Sequence, residues 1–166
     1  MSNLNLFGDN AVGAIEVDPE IDYQVRGLCV KPYPLHPKGC PNVGKCDRCP
    51  PKAPLFHEAF DLTRPVYAVV NEFDLAAHVG RMKAANPAWS ERQLYCVLYW
   101  QGTARKQLKA KIEAALVSFP GYEETWCPEG MGVNVTDTLA AIGIELEWPP
   151  KRVVRQVALL GIRRDL

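Results

Sequence analysis

Residues 31–54 read KPYPLHPKGCPNVGKCDRCPPKAP, and this stretch decides how the chain can fold. It holds seven of the chain's 14 prolines and three of its six cysteines. Because proline fixes φ and has no backbone N–H to donate, neither a helix nor a central strand can run through it. Backbone hydrogen bonds therefore cannot order this stretch, and we expect another source of order. With Cys29 and Val30 added, we call it the cysteine loop, residues 29–54.

The composition is that of an ordinary globular domain. The chain has 166 residues, of which 48% are apolar and 23% charged, so we expect one domain with a substantial core and exclude a disordered or collagen-like chain. Nineteen basic residues balance nineteen acidic ones. A net charge of zero argues against a protein that holds nucleic acid through a general positive field, although it allows a local basic patch.

The expected compartment follows from the apolar runs and the N-terminal residues. No apolar run approaches the roughly 18 residues that a membrane helix needs. The first residues, MSNLNLFGDN, lack the basic stretch and apolar run of a secretory signal. We therefore expect a cytoplasmic protein, in which cysteines indicate metal ligands or redox groups before disulfides.

Hydrophobic periodicity predicts alternating strands and helices around the cysteine loop. The predicted strands are Tyr23–Val30, Pro65–Asn71, Ile144–Trp148 and Val153–Ile162. The predicted helices run from an Asp74 cap to about Ala85, from a Ser90 cap to Leu116 with a break near Gln101 and Gly102, and over Thr136–Ile142 before Gly143. These elements indicate an α/β or α+β protein, with the cysteine loop over a small mixed sheet.

A metal centre would supply the order that the cysteine loop lacks. Metal–thiolate bonds replace missing backbone hydrogen bonds, and rigid prolines reduce the entropy lost when the loop closes. Cys40 and Cys49 lie in a polar neighbourhood with Lys45 and Arg48, which suits metal ligands better than buried hydrophobes. Cys96, in contrast, stands among apolar residues and is interpreted as a core residue.

The cysteine spacing favours an iron–sulfur cluster over zinc without excluding zinc. Structural zinc usually takes two close pairs of ligands, and this chain has one, Cys46 and Cys49. Iron–sulfur clusters accept irregular spacing, and their last cysteine often precedes proline, as Cys49 precedes Pro50. His36 could replace a thiolate, although a histidine in such a loop is more often a solvated residue.

Two segments, GCPNVGKCDRCPP at residues 39–51 and CPEGMGVNVTDT at residues 127–138, together resemble a largely uncharacterised family. Its members are small cytosolic predicted metal-binding proteins of bacteria, archaea and phages, with a C-x8-C-P-P motif and a later cysteine before a G-(I/V)-(D/N)-V-x-x-T helix. The matching residues are Cys40, Asn42, Gly44, Lys45, Cys49, Pro50 and Pro51 in the first segment, and Cys127, Gly132, Val133, Asn134, Val135 and Thr138 in the second. Val43 and Cys46 depart from the family's pattern.

The resemblance implies a cysteine-ligated centre, [4Fe–4S] rather than zinc. The ligand set that uses both matched segments is Cys29, Cys40, Cys49 and Cys127. A local set has Cys46 in place of Cys127, and both sets stay open, as does the choice between three and four cysteine ligands. We expect Lys45 and Arg48 to offset the cluster's negative charge and to bind an anionic substrate. We also expect Trp126 to shield the centre or stack on a ligand.

The remaining signals are weaker. Arg105, Lys106 and Lys109 could contact a nucleotide or nucleic acid, although charged residues at helical spacing more often form a solvated face. No catalytic triad order, HExxH or phosphate-binding glycine motif occurs. We interpret residues 1–22 as an irregular N-terminal arm and residues 23–166 as a single metal-binding domain. The expected function is redox or sulfur-transfer chemistry on an iron–sulfur cluster, with a nucleotide or nucleic acid as a candidate substrate. The alternative is a zinc-stabilised interaction module without catalysis.

Overall fold

Four antiparallel strands form one sheet in the order β1-β2-β4-β3 in the computed structural model, which describes residues 13–33 and 36–164. The strands are β1 (Ala14–Val17), β2 (Val66–Asp74), β3 (Tyr122–Thr125) and β4 (Val153–Ile162). The two long strands, β2 and β4, form the centre, and the short β1 and β3 pair with their outer sides. The protein is thus a single compact domain of mixed α and β structure, as expected, but its sheet is antiparallel rather than mixed.

Five α-helices and three 3-10 helices surround this sheet in the described part of the chain. The α-helices are α1 (Phe56–Ala59), α2 (Leu75–Ala85), α3 (Glu91–Leu94), α4 (Gln101–Ser118) and α5 (Val135–Ala140). The 3-10 helices are Tyr23–Val30, Val97–Tyr99 and Pro128–Met131. None of the described helices combines the length and apolar character needed to cross a membrane.

Two helix caps read from the sequence are confirmed. The Asp74 carboxylate accepts a hydrogen bond of 2.8 Å from the backbone N–H of Ala77 at the start of α2. Ser90 and Gln93 form the capping box of α3. The expected break comes earlier than Gln101, because α3 ends at Leu94 and the 3-10 helix Val97–Tyr99 separates it from α4. Side-chain capping of otherwise unpaired backbone groups explains why these starts are visible in the sequence.

Apolar side chains pack on both faces of the β2–β4 pair. On one face, Leu108 and Ile112 of α4 pack against Val69 and Ala158. The other face buries a larger cluster that includes Phe56, Phe60, Leu139 and Leu159, with Ala53 at the end of the cysteine loop. Each large side chain buried in this way contributes roughly 1.5–3 kcal/mol to folding. The cysteine loop is therefore anchored at one end in the main core.

The predicted strand at Tyr23–Val30 is wrong, because these residues form a 3-10 helix. The Asp22 carboxylate accepts a hydrogen bond of 2.9 Å from the N–H of Gln24 and so starts the helix locally. Its apolar residues do not define a sheet face, since Val25 is buried while Leu28 and Val30 are exposed. The hydrogen bond to the Asp22 side chain favours the 3-10 helix more than the weak alternation of apolar and polar residues favours a strand.

The predicted strand at Ile144–Trp148 is also wrong, because this segment is irregular. The Glu147 carboxylate accepts hydrogen bonds from the backbone N–H groups of Arg152 and Val153, and Trp148 is exposed. The short edge strand β3 was not expected. Within the expected arm, Ala14–Val17 forms β1, and residues 1–12 lie outside the described part of the chain.

Candidate metal centre

Cys29 and Cys40 lie side by side at the base of a hairpin whose described arms are residues 29–33 and 36–40. The backbone N–H of Cys40 donates to the carbonyl oxygen of Cys29 at 2.7 Å. Further along, Tyr33 and His36 exchange backbone hydrogen bonds of 3.2 and 2.9 Å. Gly39 has φ of +79°, and a Cβ there would stand 2.6 Å from the Cys29 carbonyl oxygen, so the close approach requires glycine.

Cys46 and Cys49 form a tight turn whose sulfur atoms are 3.3 Å apart. The Cys49 thiol also lies 3.3 Å from the carbonyl oxygen of Asn42 and donates to it. The pKa of Cys49 is lowered, first by the hydrogen bonds from the Cys46 side chain and backbone, and then by the backbone N–H groups of Gly44 and Lys45. The donors to the Cys49 sulfur favour its thiolate, which is the form that binds metal, whereas the hydrogen bond to the Asn42 carbonyl oxygen requires the protonated thiol.

Cys127 precedes a turn that contacts the cysteine loop, although it lies far from the loop in the sequence. It follows β3 and precedes a 3-10 turn in which Gly130 packs on the loop so closely that a Cβ there would stand 2.7 Å from the carbonyl oxygen of Arg48. On the other side of the turn, Gly132 lies against the ring of Tyr23 at the start of the 3-10 helix that ends next to Cys29. Three segments far apart in the sequence thus meet here.

The Cys29 thiol lies within electrostatic reach of other acidic groups. Burial raises the pKa of Cys29, and negative charge on Cys40, Cys49 and Glu129 raises it further. These residues come from the 3-10 helix, both halves of the loop and the turn after Cys127. Cys29, Cys40 and Cys49 thus influence one another electrostatically, and their role as ligands stays a prediction.

Cys127 belongs to the same neighbourhood. Burial raises its pKa first, and negative charge on Glu129 raises it further, while the Arg48 guanidinium lowers it. Cys46 and Cys49 add smaller effects that again raise the pKa of Cys127. Glu129 is the site residue that sequence reasoning missed, although its place two residues after Cys127 was a signal.

The Glu129 side chain is exposed to solvent, but many protein atoms lie around its carboxyl group and partly desolvate it. Desolvation raises its pKa above the usual range, and a hydrogen bond from its own backbone lowers it by less. A carboxyl that faces several thiols in such a place favours either protonation or a nearby positive charge. The neighbourhood thus contains several acidic groups, and a negative charge on one of them disfavours ionisation of the others.

These groups do not form a ready coordination shell for a single ion. In residues 13–33 and 36–164, no three His, Cys, Asp or Glu side chains stand close enough to hold a metal ion together. A tetrahedral zinc ion at about 2.3 Å from each sulfur needs all four sulfurs within about 4 Å of one another. The Cys46 and Cys49 sulfurs, 3.3 Å apart, meet this distance, and all six cysteines are free thiols.

The other expected site residues are placed differently. Lys45 and Arg48 are exposed on the loop beside the thiols. The half-buried Trp126 ring packs with the apolar cluster between α4 and the sheet, and its role beside the centre stays a prediction. Cys96 is half-buried at the start of the 3-10 helix Val97–Tyr99, on a segment separate from the loop. His36 is part of the hairpin's backbone pairing.

The basic residues of α4 form an exposed face. Arg105, Lys106 and Lys109 are all solvent-exposed, and Lys109 forms an ion pair of 3.7 Å with Glu113. A helical ion pair of this kind contributes only about 0.3–0.5 kcal/mol. This arrangement is typical of a solvated helix face and places these cations on the α4 side of the sheet.

Comparisons with protein-family models, curated proteins and solved structures give no match for this chain. The resemblance carried by the cysteine motifs therefore stays a prediction. The contacts described above are the basis for assigning a function.

Proposed function

We propose that the protein binds one [4Fe–4S] cluster through Cys29, Cys40, Cys49 and Cys127 and uses it in redox or sulfur-transfer chemistry. The observation that carries this proposal is that Cys40 pairs with Cys29 through a backbone hydrogen bond of 2.7 Å and that the turn after Cys127 packs against the loop at Arg48. The thiols also influence one another electrostatically. Each group makes ionisation of the others harder. A positively charged metal core among them would turn this mutual repulsion into attraction, as deprotonated thiols are the ligands it needs.

The spread of the thiols favours a cluster over a single ion. A four-iron core is larger than one zinc ion and binds its thiolates at separate corners, so its ligands need not crowd within single-ion distance. The Cys-Pro sequence after Cys49 and the irregular spacing agree with it.

Cys46 has a supporting role in this proposal. Its thiol lies 3.3 Å from the Cys49 sulfur and its hydrogen bonds help to lower the pKa of Cys49. A donor beside a ligand sulfur tunes a cluster's potential. Lys45 and Arg48 would offset the negative charge of the cluster and present cations to an anionic substrate such as a nucleotide. The basic face of α4, with Arg105 and Lys106, is a further candidate contact for nucleic acid.

The second candidate function is a zinc-stabilised interaction module without chemistry of its own. The short distance between Cys46 and Cys49 favours it, since a close C-x2-C pair is the usual half of a structural zinc site. In that case Cys46 would replace Cys127 or another cysteine as a ligand. Either function is consistent with a cytoplasmic protein, where thiols stay reduced.

Metal analysis of protein purified without oxygen tests the proposal. We expect a brown protein with iron and acid-labile sulfide in equal amounts, close to four of each per chain. A colourless protein with one zinc per chain would contradict the cluster and support the interaction module. Protein purified in air provides the comparison, because exposed clusters lose iron and colour while structural zinc persists.

A further inference from the structure

Cys46 and Cys49 lie close enough for their sulfur atoms to be joined without a change of fold. The two sulfurs are 3.3 Å apart, and both residues are free thiols. A disulfide bond is about 2.04 Å long, so small rotations of the two side chains would close the remaining gap of about 1.3 Å. We call these two residues the C-x2-C pair.

The backbone also holds the C-x2-C pair together. The N–H of Cys49 donates to the carbonyl oxygen of Cys46 at 3.0 Å, which closes a turn with Asp47 and Arg48 at its centre. A β-turn keeps its first and fourth Cα atoms within about 7 Å, and a disulfide spans Cα atoms about 4.4–6.8 Å apart. The short distance between the sulfurs is therefore supported by the backbone conformation and not only by the two side-chain rotamers.

The surroundings of the C-x2-C pair suit an anionic reagent. Both cysteines are half-buried rather than enclosed in the core. Lys45 and Arg48, which directly precede the two cysteines in the sequence, are exposed. Asp47 forms an ion pair of 3.6 Å with Lys52, which offsets its negative charge. Cations beside accessible thiols attract negatively charged reagents.

We propose that the C-x2-C pair is a dithiol–disulfide couple that exchanges with an anionic low-molecular-weight disulfide. The inference goes beyond the proposed function and does not rest on it. Because Cys49 is also a proposed cluster ligand, its oxidation and its metal binding exclude one another. The exchange therefore belongs to the chain without metal.

The exchange takes place in two steps. One cysteine, as its thiolate, attacks a sulfur of the small disulfide, whose S–S bond breaks, so that a mixed disulfide forms and one small thiolate leaves. The second cysteine then loses its proton and attacks the protein-side sulfur of the mixed disulfide, which forms the Cys46–Cys49 bond and releases the second small thiolate. The pair is oxidised by two electrons. The small disulfide is reduced to two thiols, which take up the two protons that the cysteines lost.

Peptide mapping of the full-length chain tests the proposal. The chain is reduced, freed of metal with a chelator, exposed to glutathione disulfide without oxygen, and then alkylated with N-ethylmaleimide. Trypsin cleaves after Lys45, Arg48 and Lys52, so an oxidised pair is recovered as the peptides CDR and CPPK joined by their sulfurs. We expect most chains to give this joined product.

Variants separate the two steps of the exchange. In Cys46→Ala the second thiol is missing, so the mixed disulfide of Cys49 with glutathione should accumulate, whereas it should stay a minor species in the unchanged protein. Cys96→Ala is the matched control, because it removes one half-buried thiol from a separate segment, and it should still give the joined peptides. The mapping of the unchanged protein keeps the test decisive even if Cys46→Ala does not fold.

Charge reversal tests the choice of an anionic partner, since glutathione disulfide carries more carboxylates than ammonium groups. In Lys45→Glu/Arg48→Glu, we expect the rate of oxidation by glutathione disulfide to fall about tenfold at low salt, because attraction becomes repulsion. Oxidation by the neutral hydroxyethyl disulfide should change little. Lys83→Glu/Arg92→Glu reverses two exposed cations on α2 and α3 and should leave both rates unchanged. Intact mass after alkylation counts the remaining thiols.

Two results would overturn the inference. If Cys46 and Cys49 stay alkylated, or are recovered only as separate mixed disulfides or joined to other cysteines, the pair is not a dithiol–disulfide couple. If the joined peptides form but reversal of Lys45 and Arg48 leaves the rate with glutathione disulfide unchanged, the pair has no preference for an anionic partner. Neither result bears on the cluster, because iron content is measured on protein that was never exposed to a chelator, so the two proposals fail separately.

Discussion

Gly130 lies so close to the carbonyl oxygen of Arg48 that a Cβ on the glycine would stand 2.7 Å from it. The contact joins the turn after Cys127 to the cysteine loop, two segments about half the chain apart in sequence. Because the neighbour is backbone rather than a flexible side chain, it cannot move aside cheaply. This approach holds Cys127 beside the loop thiols.

Gly130→Ala should therefore destabilise the protein and weaken metal retention. The added methyl group forces the turn and the loop apart, at a cost of about 1–3 kcal/mol. The control is Gly80→Ala in α2, where an added Cβ meets nothing within 4 Å and should stabilise the helix by about 0.5–1 kcal/mol. Thermal unfolding and metal content of both variants check this. Equal stability of the two variants would show that the close contact is unimportant.

Cys40→Ser and Cys49→Ser should each lose the cluster and lower the free energy of unfolding by about 3 kcal/mol, the stabilisation that a tightly bound ligand gives. Contrary to the expectation from its prolines, the loop has backbone hydrogen bonds of its own, such as the one from the Cys49 N–H to the Cys46 carbonyl oxygen. These are isolated turn and hairpin bonds rather than a continuous helix or ladder, so a bound metal would add to the stability of the loop. Cys96→Ser is the matched control, because it removes one thiol from a separate segment, and it should keep the metal. Iron content and thermal unfolding distinguish the variants. Full iron content in Cys40→Ser would rule out the loop as the binding site.

In metal-free protein, Cys49 should react with iodoacetamide before Cys29 and Cys127 near neutral pH. Its pKa is lowered by hydrogen bonds, whereas burial and neighbouring charges raise the pKa of the other two above their usual value of 9.0. Only the thiolate reacts, so a lower pKa means faster alkylation. The difference should shrink as the pH rises past 9, where Cys29 and Cys127 also ionise. Mass spectrometry after short pulses measures each rate.

The alkylation control is the unfolded chain in denaturant, where all six cysteines should react at similar rates. If Cys127 reacts first in the folded protein, the hydrogen bonds to the Cys49 sulfur do not stabilise its thiolate.

Elements whose signals are local were predictable from the sequence. Strand β2 and helix α2 follow one another, and Asp74 both ends the first and caps the second. Strand β4 was visible as a long apolar run, VVRQVALLGI. The residues that specify these elements are their own or their neighbours', so no knowledge of the tertiary structure was needed.

Elements that depend on distant partners were not predictable. Strand β3, with the sequence YEET, has no apolar alternation and owes its conformation to pairing with Gly161 and Leu160 of β4. Trp126 was assigned to the centre because it precedes Cys127, but the core on the α4 side takes its ring. The position of Trp126 next to Cys127 in the sequence does not show which cluster its ring packs against.

The candidate site also has features that local sequence predicts and features that depend on distant contacts. Cysteine spacing and proline content indicated the candidate ligands, because metal binding needs those residue types in any fold. The participation of Glu129 and the need for glycine at position 130 arise only when the turn meets the loop. Such contacts between segments far apart in sequence leave no periodic trace in it.

The iron content of two variants purified without oxygen tests most directly whether Cys127 and the cysteine loop bind one cluster together. Cys127→Ser should lose most of its iron and sulfide, and its C-terminal part from Gly121 onward should become sensitive to protease. Cys46→Ala should keep both, because its thiol only donates to the Cys49 sulfur. The reverse result, with iron kept in Cys127→Ser and lost in Cys46→Ala, would establish a local four-cysteine site and contradict the role of Cys127 as a ligand.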